Sequence, residues 1–418
     1  MRTITALLIT TLAPTLAAPA VAQDTVTLPG RSVALTGPVN TVFAVGREEG
    51  ASHEILSNVQ AVAFDRDNNL YVLDAGNFRV LVFDRQGRFV RQIGKQGQGP
   101  GEITFPTGLA ITADGHVVVS DAGRTGFSVF TRGGEYVRHV SFGEGGLLGA
   151  GGIQASPRGG VIARVMPALV PAQGGAPPEI PRQAFVRHHP LTDGGRFTTL
   201  HTFDLPQARV ESQGSGGNVR MQVMIAPPAL APQVSFAVLP DGGIALTNSA
   251  EYAVQVIDAN GRTTRVIRRD ERPRRVTRAD QEGARQLRRR QLEGGGGGAI
   301  SVTNVNGQRS FSFGGRGMTS EQVEQQLRAM QFADVVPLVQ SVQTDPTGRI
   351  WIERTPARIG PEPGAIDLVT AAGRYIGTIP RMRRPAAINH DGTLAAFIER
   401  DDLDVERVVV RSIPATWK

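Results

Sequence analysis

Between Asn58 and Phe142 the chain passes twice through one pattern of apolar and polar positions. The first pass, NVQAVAFDRDNNLYVLDAGNFRVLVFDRQGRFVRQIG, ends at Gly94, and the second, FPTGLAITADGHVVVSDAGRTGFSVFTRGGEYVRHVSFG, runs from Phe105 to Gly143. Asn69 and Gly115 close equivalent turns, and Asp74 and Asp121 follow them at nearly the same offset. Each pass holds four short apolar runs divided by turn residues, which predicts a four-stranded meander repeated along the chain. In the first pass the strands are expected near Val59–Phe64, Leu70–Leu73, Arg79–Phe83 and Phe89–Ile93. Successive residues from Val80 to Phe83 are all apolar, so the sheet is hydrophobic on both faces. Such a sheet cannot stand alone, and copies of it must stack around a common axis.

The pattern continues with interruptions. Gly152–Ala163 gives two strands of a third unit, which Gln183–His188 and Phe197–Phe203 complete after the Pro-rich stretch 166–181. Proline cannot donate to a ladder, so that stretch is a loop outside the sheet. A further excursion, 205–232, precedes a well-kept fourth unit, Val234–Arg269, with its Asp241-Gly242 and Asn260-Gly261 turns. Segment 272–337 departs furthest from the repeat. Thr277 with Asp280 opens a predicted helix that stops at Gly294–Gly298, and Thr319 with Gln322 opens a second, with Val323, Leu327 and Met330 on one face. Between the two, Ile300–Phe313 is a hairpin or a loop. Leu338–Arg354, Ala365–Val369 and Arg374–Ile379 form a fifth unit, and Pro385–Pro414 a sixth with only three strands. Two early runs, Arg31–Leu35 and Thr41–Val45, precede any complete unit, and one of them is expected to supply the missing strand and latch the ring. The predicted fold class is all-β: a six-bladed β-propeller of four-stranded antiparallel blades, closed by an N-terminal strand, with a helical insertion between blades four and five. Asn69, Gly115, Gly160, Gly242, Gly348 and Gly392 mark one turn per blade, and a seventh blade stays open if 272–337 conceals a sheet.

Composition adds an address and several exclusions. Arg2, the apolar run Ile4–Leu16 and Ala20-Val21-Ala22 read as a signal peptide over 1–22, cleaved before Gln23, leaving 23–418 as the propeller. No later window holds about 18 consecutive apolar residues, so no transmembrane segment is expected. The protein is expected to be exported, to the periplasm or beyond the cell. The absence of cysteine rules out disulfides, a thiolate metal site and a thiol nucleophile. The net charge of +7 comes from a basic set that is arginine except for Lys95 and Lys418, dispersed apart from the first helix of 272–337. That dispersal reads as a compositional bias rather than a polyanion site, and no nucleic-acid partner is expected.

The run LYVLDAGNFRVLVFD, then Gly87-Arg88-Phe89 and the Gly-rich crossing before Phe105-Pro106, resembles NHL repeats. The whole mature chain resembles bacterial exported six-bladed propellers of the NHL and TolB-like group. In NHL repeats the Asp at the position of Asp74 ties the turn between the second and third strands, and here Asp121, Asn248 and Arg354 fill that position in blades two, four and five. Together with Arg79, Arg124 and Glu353 they form either a set of structural ties or a polar ring at the channel mouth. The resemblance also brings two enzyme families into view. The gluconolactonase and paraoxonase group holds calcium or zinc in the channel with oxygen and amide ligands, but its local motifs are absent here. The peptidyl-amidoglycolate lyases need zinc-binding histidines from several blades, whereas His116, His139, His201 and His390 do not share one blade position. His188 and His189 are adjacent in a strand and face opposite ways. No catalytic residue and no metal ligand is assigned. Two readings follow. The first is a non-enzymatic, monomeric binding or scaffold protein without cofactor, meeting a protein, peptide or envelope glycan through Met166–Pro181 and Arg272–Pro337. The alternative is a lactonase or lyase dependent on a divalent ion such as calcium in the channel.

Overall fold

Burial along each blade follows the expected two-sided pattern. The computed structural model describes residues 24–143, 147–166, 182–192, 195–205, 209–213, 220–224, 227–293, 300–305, 308–313 and 319–417. The signal-peptide expectation and nearly all of 166–181 lie outside the described residues. Blade one comprises Val59–Phe64, Leu70–Asp74, Arg79–Phe83 and Phe89–Ile93, with its two middle strands buried throughout and its outermost strand largely exposed. Blade two repeats this with Pro106–Ile111, Val117–Asp121, Gly126–Phe130 and Tyr136–Ser141. Blade three is Leu147–Ala155, Val161–Met166, Gln183–His189 and Thr198–Asp204. Blade four is Ser235–Val238, Ile244–Thr247, Ala253–Ile257 and Thr263–Arg268. Blade five is Val339–Thr344, Arg349–Arg354, Ile366–Thr370 and Tyr375–Ile379. Blade six combines Ala387–Ile388, Leu394–Arg400 and Glu406–Ser412 with Thr41–Val45 as its outermost strand.

Each junction between neighbouring blades holds its own apolar cluster. Leu73 meets Leu109 and Val119 between blades one and two, Phe127 meets Ile153 and Val161 between two and three, and Ile162 meets Ile244 between three and four. Ala245 meets Ile350 between four and five, Trp351 meets Phe397 between five and six, and Val410 meets Leu70 between six and one. The last cluster closes the ring. No single sheet could bury both of its faces otherwise, which is why the repeat is circular.

The N-terminal segment does more than latch. Thr41–Val45 pairs antiparallel with the last strand, Val45 opposite Val408, as expected of the closing strand. Upstream, Asp24–Thr27 runs parallel to Arg265–Arg268 at the edge of blade four, and Leu28 is buried in the junction between blades four and five. Arg31–Leu35 forms no regular strand, only a bridge from Ala34 to Thr378 at the edge of blade five. Leu35 packs where a side chain at Gly377 would stand, so the glycine admits the crossing segment. The segment therefore belts three blades in succession. A buried ion pair fastens its start: Arg269 donates to the Asp367 carboxylate at 3.2 Å and to the Pro29 carbonyl at 2.6 Å, while the Tyr252 hydroxyl donates to Asp367 at 2.7 Å.

The meander sends its connections to two different faces. Turns within hairpins of first-to-second and third-to-fourth strands emerge on one face; crossings to the next blade and the second-to-third connections emerge on the other. On the first face, nine of the described turns, such as Asp65–Asn69, Thr112–His116 and Asp345–Arg349, close on the same five-residue pattern of two backbone hydrogen bonds, which Asp401–Val405 repeats on the other face. The fourth residue of each takes a positive φ, glycine in most and Asn68 and Asp404 in two, so in blade one the strained residue is Asn68 rather than Asn69. All the long insertions leave from the other face. There the helix Arg278–Glu293 is capped by Thr277 and Asp280, which exchange hydrogen bonds, and the helix Ser320–Ala329 by Thr319 and Gln322. Ile300–Val305 and Gln308–Phe313 form a hairpin beside a second hairpin from the preceding insertion, Arg209–Gln213 and Arg220–Met224. Ala284, Val336 and Ile359 with Leu230 and Phe332 form the small core of this cap, and Gly283 approaches the Ile359 carbonyl too closely for any side chain.

Candidate functional site: the central channel

The seven residues singled out by sequence fall into three settings. Asp74 is fully buried, accepts from the Ser57 amide at 2.8 Å and from Arg79 at 2.9 Å, and Arg79 in turn donates to the carbonyls of Ser52 and Ile55. Asp121 accepts from the amides of Thr104, Phe105 and Gly123, and Arg124 donates to the carbonyls of Gly99 and Glu102. These four bind the segment entering each innermost strand to the end of the second strand, a wider tie than one within the turn alone. Asn248 keeps the expected count, but pairing in blade four ends one residue earlier, at Thr247 opposite Ser235, and Asn248 is exposed. Arg354 pairs with Glu271 through one nitrogen, Nη2, which lies 2.8 Å from each carboxylate oxygen. Glu353 accepts from the Ser341 hydroxyl and faces Arg384.

The innermost strands of all six blades surround a cavity of about 580 Å³. Most of its lining residues are small or apolar, but polar atoms make up more of its exposed wall, with Gln60, Thr107, Gln154, Ser235, Gln343 and Thr344 as neutral polar groups. Two arginines also line it. Arg164 sits on the second strand of blade three, at the rung that Glu353 holds in blade five, since Ala155 opposes Val161 as Thr344 opposes Ile350. Beside it the innermost strand of that blade shifts register between Leu148 and Ile153, where Gly149, Gly151 and Gly152 carry no side chains. A side chain at Gly152 would meet open space. Arg164 stacks over the Phe203 ring at 5.2 Å, and its buried Nε has no hydrogen-bond partner. Arg384, from the crossing into blade six, has only Glu353 for a charge partner, at 3.8 Å, and the nearer Glu353 contact is the Ser341 hydroxyl at 2.6 Å.

Burial pushes both guanidinium pKa values below the usual arginine range, opposed at Arg384 by the charge of Glu353. Some 38 % of the Arg384 side chain is exposed. Both sites hold more positive charge than their surroundings offset. Neither arginine was singled out from sequence. The signal for Arg164 was the glycine run opposite it, and for Arg384 the cluster Arg381–Arg384 before Pro385.

A divalent ion does not suit this donor set. Asp345 is the carboxylate among the lining residues, and it is consumed by Arg349, Trp351 and Thr347. Among the described residues no three His, Asp or Glu side chains converge as a metal site would require. His139 and His201 lie apart, and burial lowers both pKa values. His188 and His189 do face opposite ways: His188 lies 2.6 Å from the Gly159 carbonyl, whereas His189 packs on Phe127 and Phe197.

A family model described as a 6-bladed beta-propeller matches residues 52–142, the two best-kept blades. The protein is a six-bladed β-propeller. No curated protein matches the chain. Among solved structures the propeller is similar to a gluconolactonase from Xanthomonas campestris, at 12% identity over 92% of this chain and 100% of that one, with a TM-score of 0.41. It is similar to the calcium-binding protein regucalcin from Agrobacterium tumefaciens, at 12% identity over 85% of this chain and 91% of that one, with a TM-score of 0.38. A virginiamycin B lyase from Staphylococcus aureus, with quinupristin, is similar at 12% identity over 86% of this chain and 97% of that one, with a TM-score of 0.37.

Proposed function

We propose that this propeller is an exported, non-enzymatic binding protein whose partner, a protein, peptide or glycan of the cell envelope, meets the insertion-bearing face. One observation carries the reading: every long insertion leaves the ring on the face where the inter-blade crossings lie, while the opposite face is closed by short, repeated turns. Scaffolds change what they bind by varying such insertions. The charge lining the channel also supports binding over metal-assisted hydrolysis, since guanidinium groups repel a cation.

The test uses the immobilised propeller and an envelope extract. A partner retained by the intact protein is expected to be lost when 272–337 is replaced by a short Gly-Ser linker, and to be kept when Arg132 and Arg158 on the turn face are changed to Gln. Equal capture by a protein lacking both 166–181 and 272–337 would overturn the assignment of this face. Export is checked separately, by a mature N-terminus that begins at Gln23.

A further inference from the structure

The ring divides into a belted half and an open half. The N-terminal segment holds the rims of blades four, five and six in turn, through Asp24–Thr27, the bridge at Ala34 and Thr41–Val45. Outside the last strands of blades one, two and three, Phe89–Ile93, Tyr136–Ser141 and Thr198–Asp204, no further strand pairs. Buried histidines follow the same division. His139, His189 and His201 are the histidines with a buried ring nitrogen that has no hydrogen-bond partner, and all belong to blades two and three. His139 stands opposite Ser128, on the face of Phe130 and Tyr136 that meets blade one. His189 packs on Phe127 of blade two at 5.2 Å. His201 stands opposite Val186, on the face that meets Phe236 and Ile244 of blade four. The three therefore occupy three successive junctions of the open half. The other histidines are placed differently: His116 lies 2.9 Å from Asp114, His188 lies 2.6 Å from the Gly159 carbonyl, His53 stacks on Phe89 and His390 is exposed.

A proton taken up at these junctions meets no free negative charge. Burial holds all three imidazoles below the ordinary histidine range. The charged groups about His189 are Arg187 and His188 of its own strand, while the facing strand Gly126–Phe130 supplies none, and the Phe197 ring adjoins the exposed Arg196. About His139 they are Arg124 and Asp121, and that carboxylate is already taken by the amides of Thr104, Phe105 and Gly123. His201 shares its rung with Arg164 through Val186. An imidazolium formed in such a place must either leave the junction or part it.

We propose that blades two and three form an acid-operated sector of the ring: His139, His189 and His201, once charged, part the junctions in which they stand, while the belted blades four to six stay closed. Segment 166–181 lies within blade three and 205–232 follows it, so the sector that opens is the one from which two of the long insertions spring. Each histidine binds its proton more weakly in the folded ring than in the unfolded chain. Its contribution is therefore whole above the unfolded pKa near 6.5 and is withdrawn as the pH falls. This device goes beyond the binding reading above and does not depend on it.

Amide hydrogen exchange of the mature protein, read by mass spectrometry at pH 7 and pH 4.5 and corrected for the pH dependence of chemical exchange, tests it. Protection in the strands of blades two and three is expected to fall at least about tenfold at pH 4.5, and in those of blades four to six to stay within about threefold. The triple variant His139→Gln, His189→Phe, His201→Gln is expected to keep its protection at the lower pH. Should that variant lack a cooperative melt at pH 7, the three single variants replace it, and each is expected to restore protection at its own junction. Unchanged protection of the wild-type protein at pH 4.5, equal loss in all six blades, or a loss in blades two and three that the variants do not reduce would each overturn the sector.

Discussion

The two faces of the ring solve opposite problems. On the turn face, one five-residue device recurs around the ring, and its side chains stitch blade to blade: Arg132 reaches back to Asp65 and Asp67, Arg158 reaches the Ala259 carbonyl, and Asn389 donates to Asn68. On the other face the connections range from the tight crossing at Gly94–Phe105 to the helical cap of 272–337, and the channel wall carries charges that the protein leaves unanswered. Stability is thus concentrated where geometry repeats, and chemistry where it does not. A strained or underpaired group on the first face would weaken the ring; on the second it is available to a ligand.

The sharpest way to break this contrast is Asp345→Ala on the turn face. Its buried carboxylate accepts from the buried Arg349 and Trp351 indole and from the amide of the exposed Thr347, so the change leaves a buried arginine without its partner. A loss of about 3–5 kcal/mol is expected in denaturant unfolding. Next is the acid sensitivity of His189, near the turn face of blade three. Burial pushes its pKa down to about 4. The folded state therefore binds the proton less readily than the unfolded chain, and the contribution is whole above the unfolded pKa near 6.5 and lost as pH falls from there toward 4. Melting followed from pH 7 to pH 4 should show a decline of up to about 3 kcal/mol that is reduced in His189→Phe.

Smaller effects belong to the insertion face. Replacing 272–337 by a short linker should shift Tm by only about 2–4 °C, because the cap core of Ala284, Val336 and Ile359 is separate from the six inter-blade clusters. Thr247→Val sharpens the comparison most finely. The Thr247 hydroxyl is buried without a hydrogen-bond partner, so the isosteric change should be neutral or stabilising, within about 1 kcal/mol. A large destabilisation there would show that the second face is as tightly committed as the first.

What sequence made legible, and what it did not, divides along the same line. The blades were readable because Leu70–Leu73 and Val117–Val119 are unbroken apolar runs between turn residues, and the period forces a ring. Both helices of 272–337 were readable from their capping residues. The belt at Asp24–Thr27 was not, because a short, exposed, parallel edge strand has no alternation to reveal it. The channel residues were harder still. Arg164 and Arg384 stand at no shared motif position, so the repeat pattern does not mark them as lining residues.

The belt has a consequence for how the molecule comes into being. Thr41 to Val45 is synthesised more than 300 residues before its hydrogen-bonding partners at Val408 to Arg411. Until they appear, blade six is incomplete and the junctions at both of its sides stay wet. Closure is then a late, long-range event, slow by comparison with forming any one meander. Clipping the polypeptide between residues 28 and 41 would convert the final locking step from an intramolecular zip into an encounter between two separate pieces.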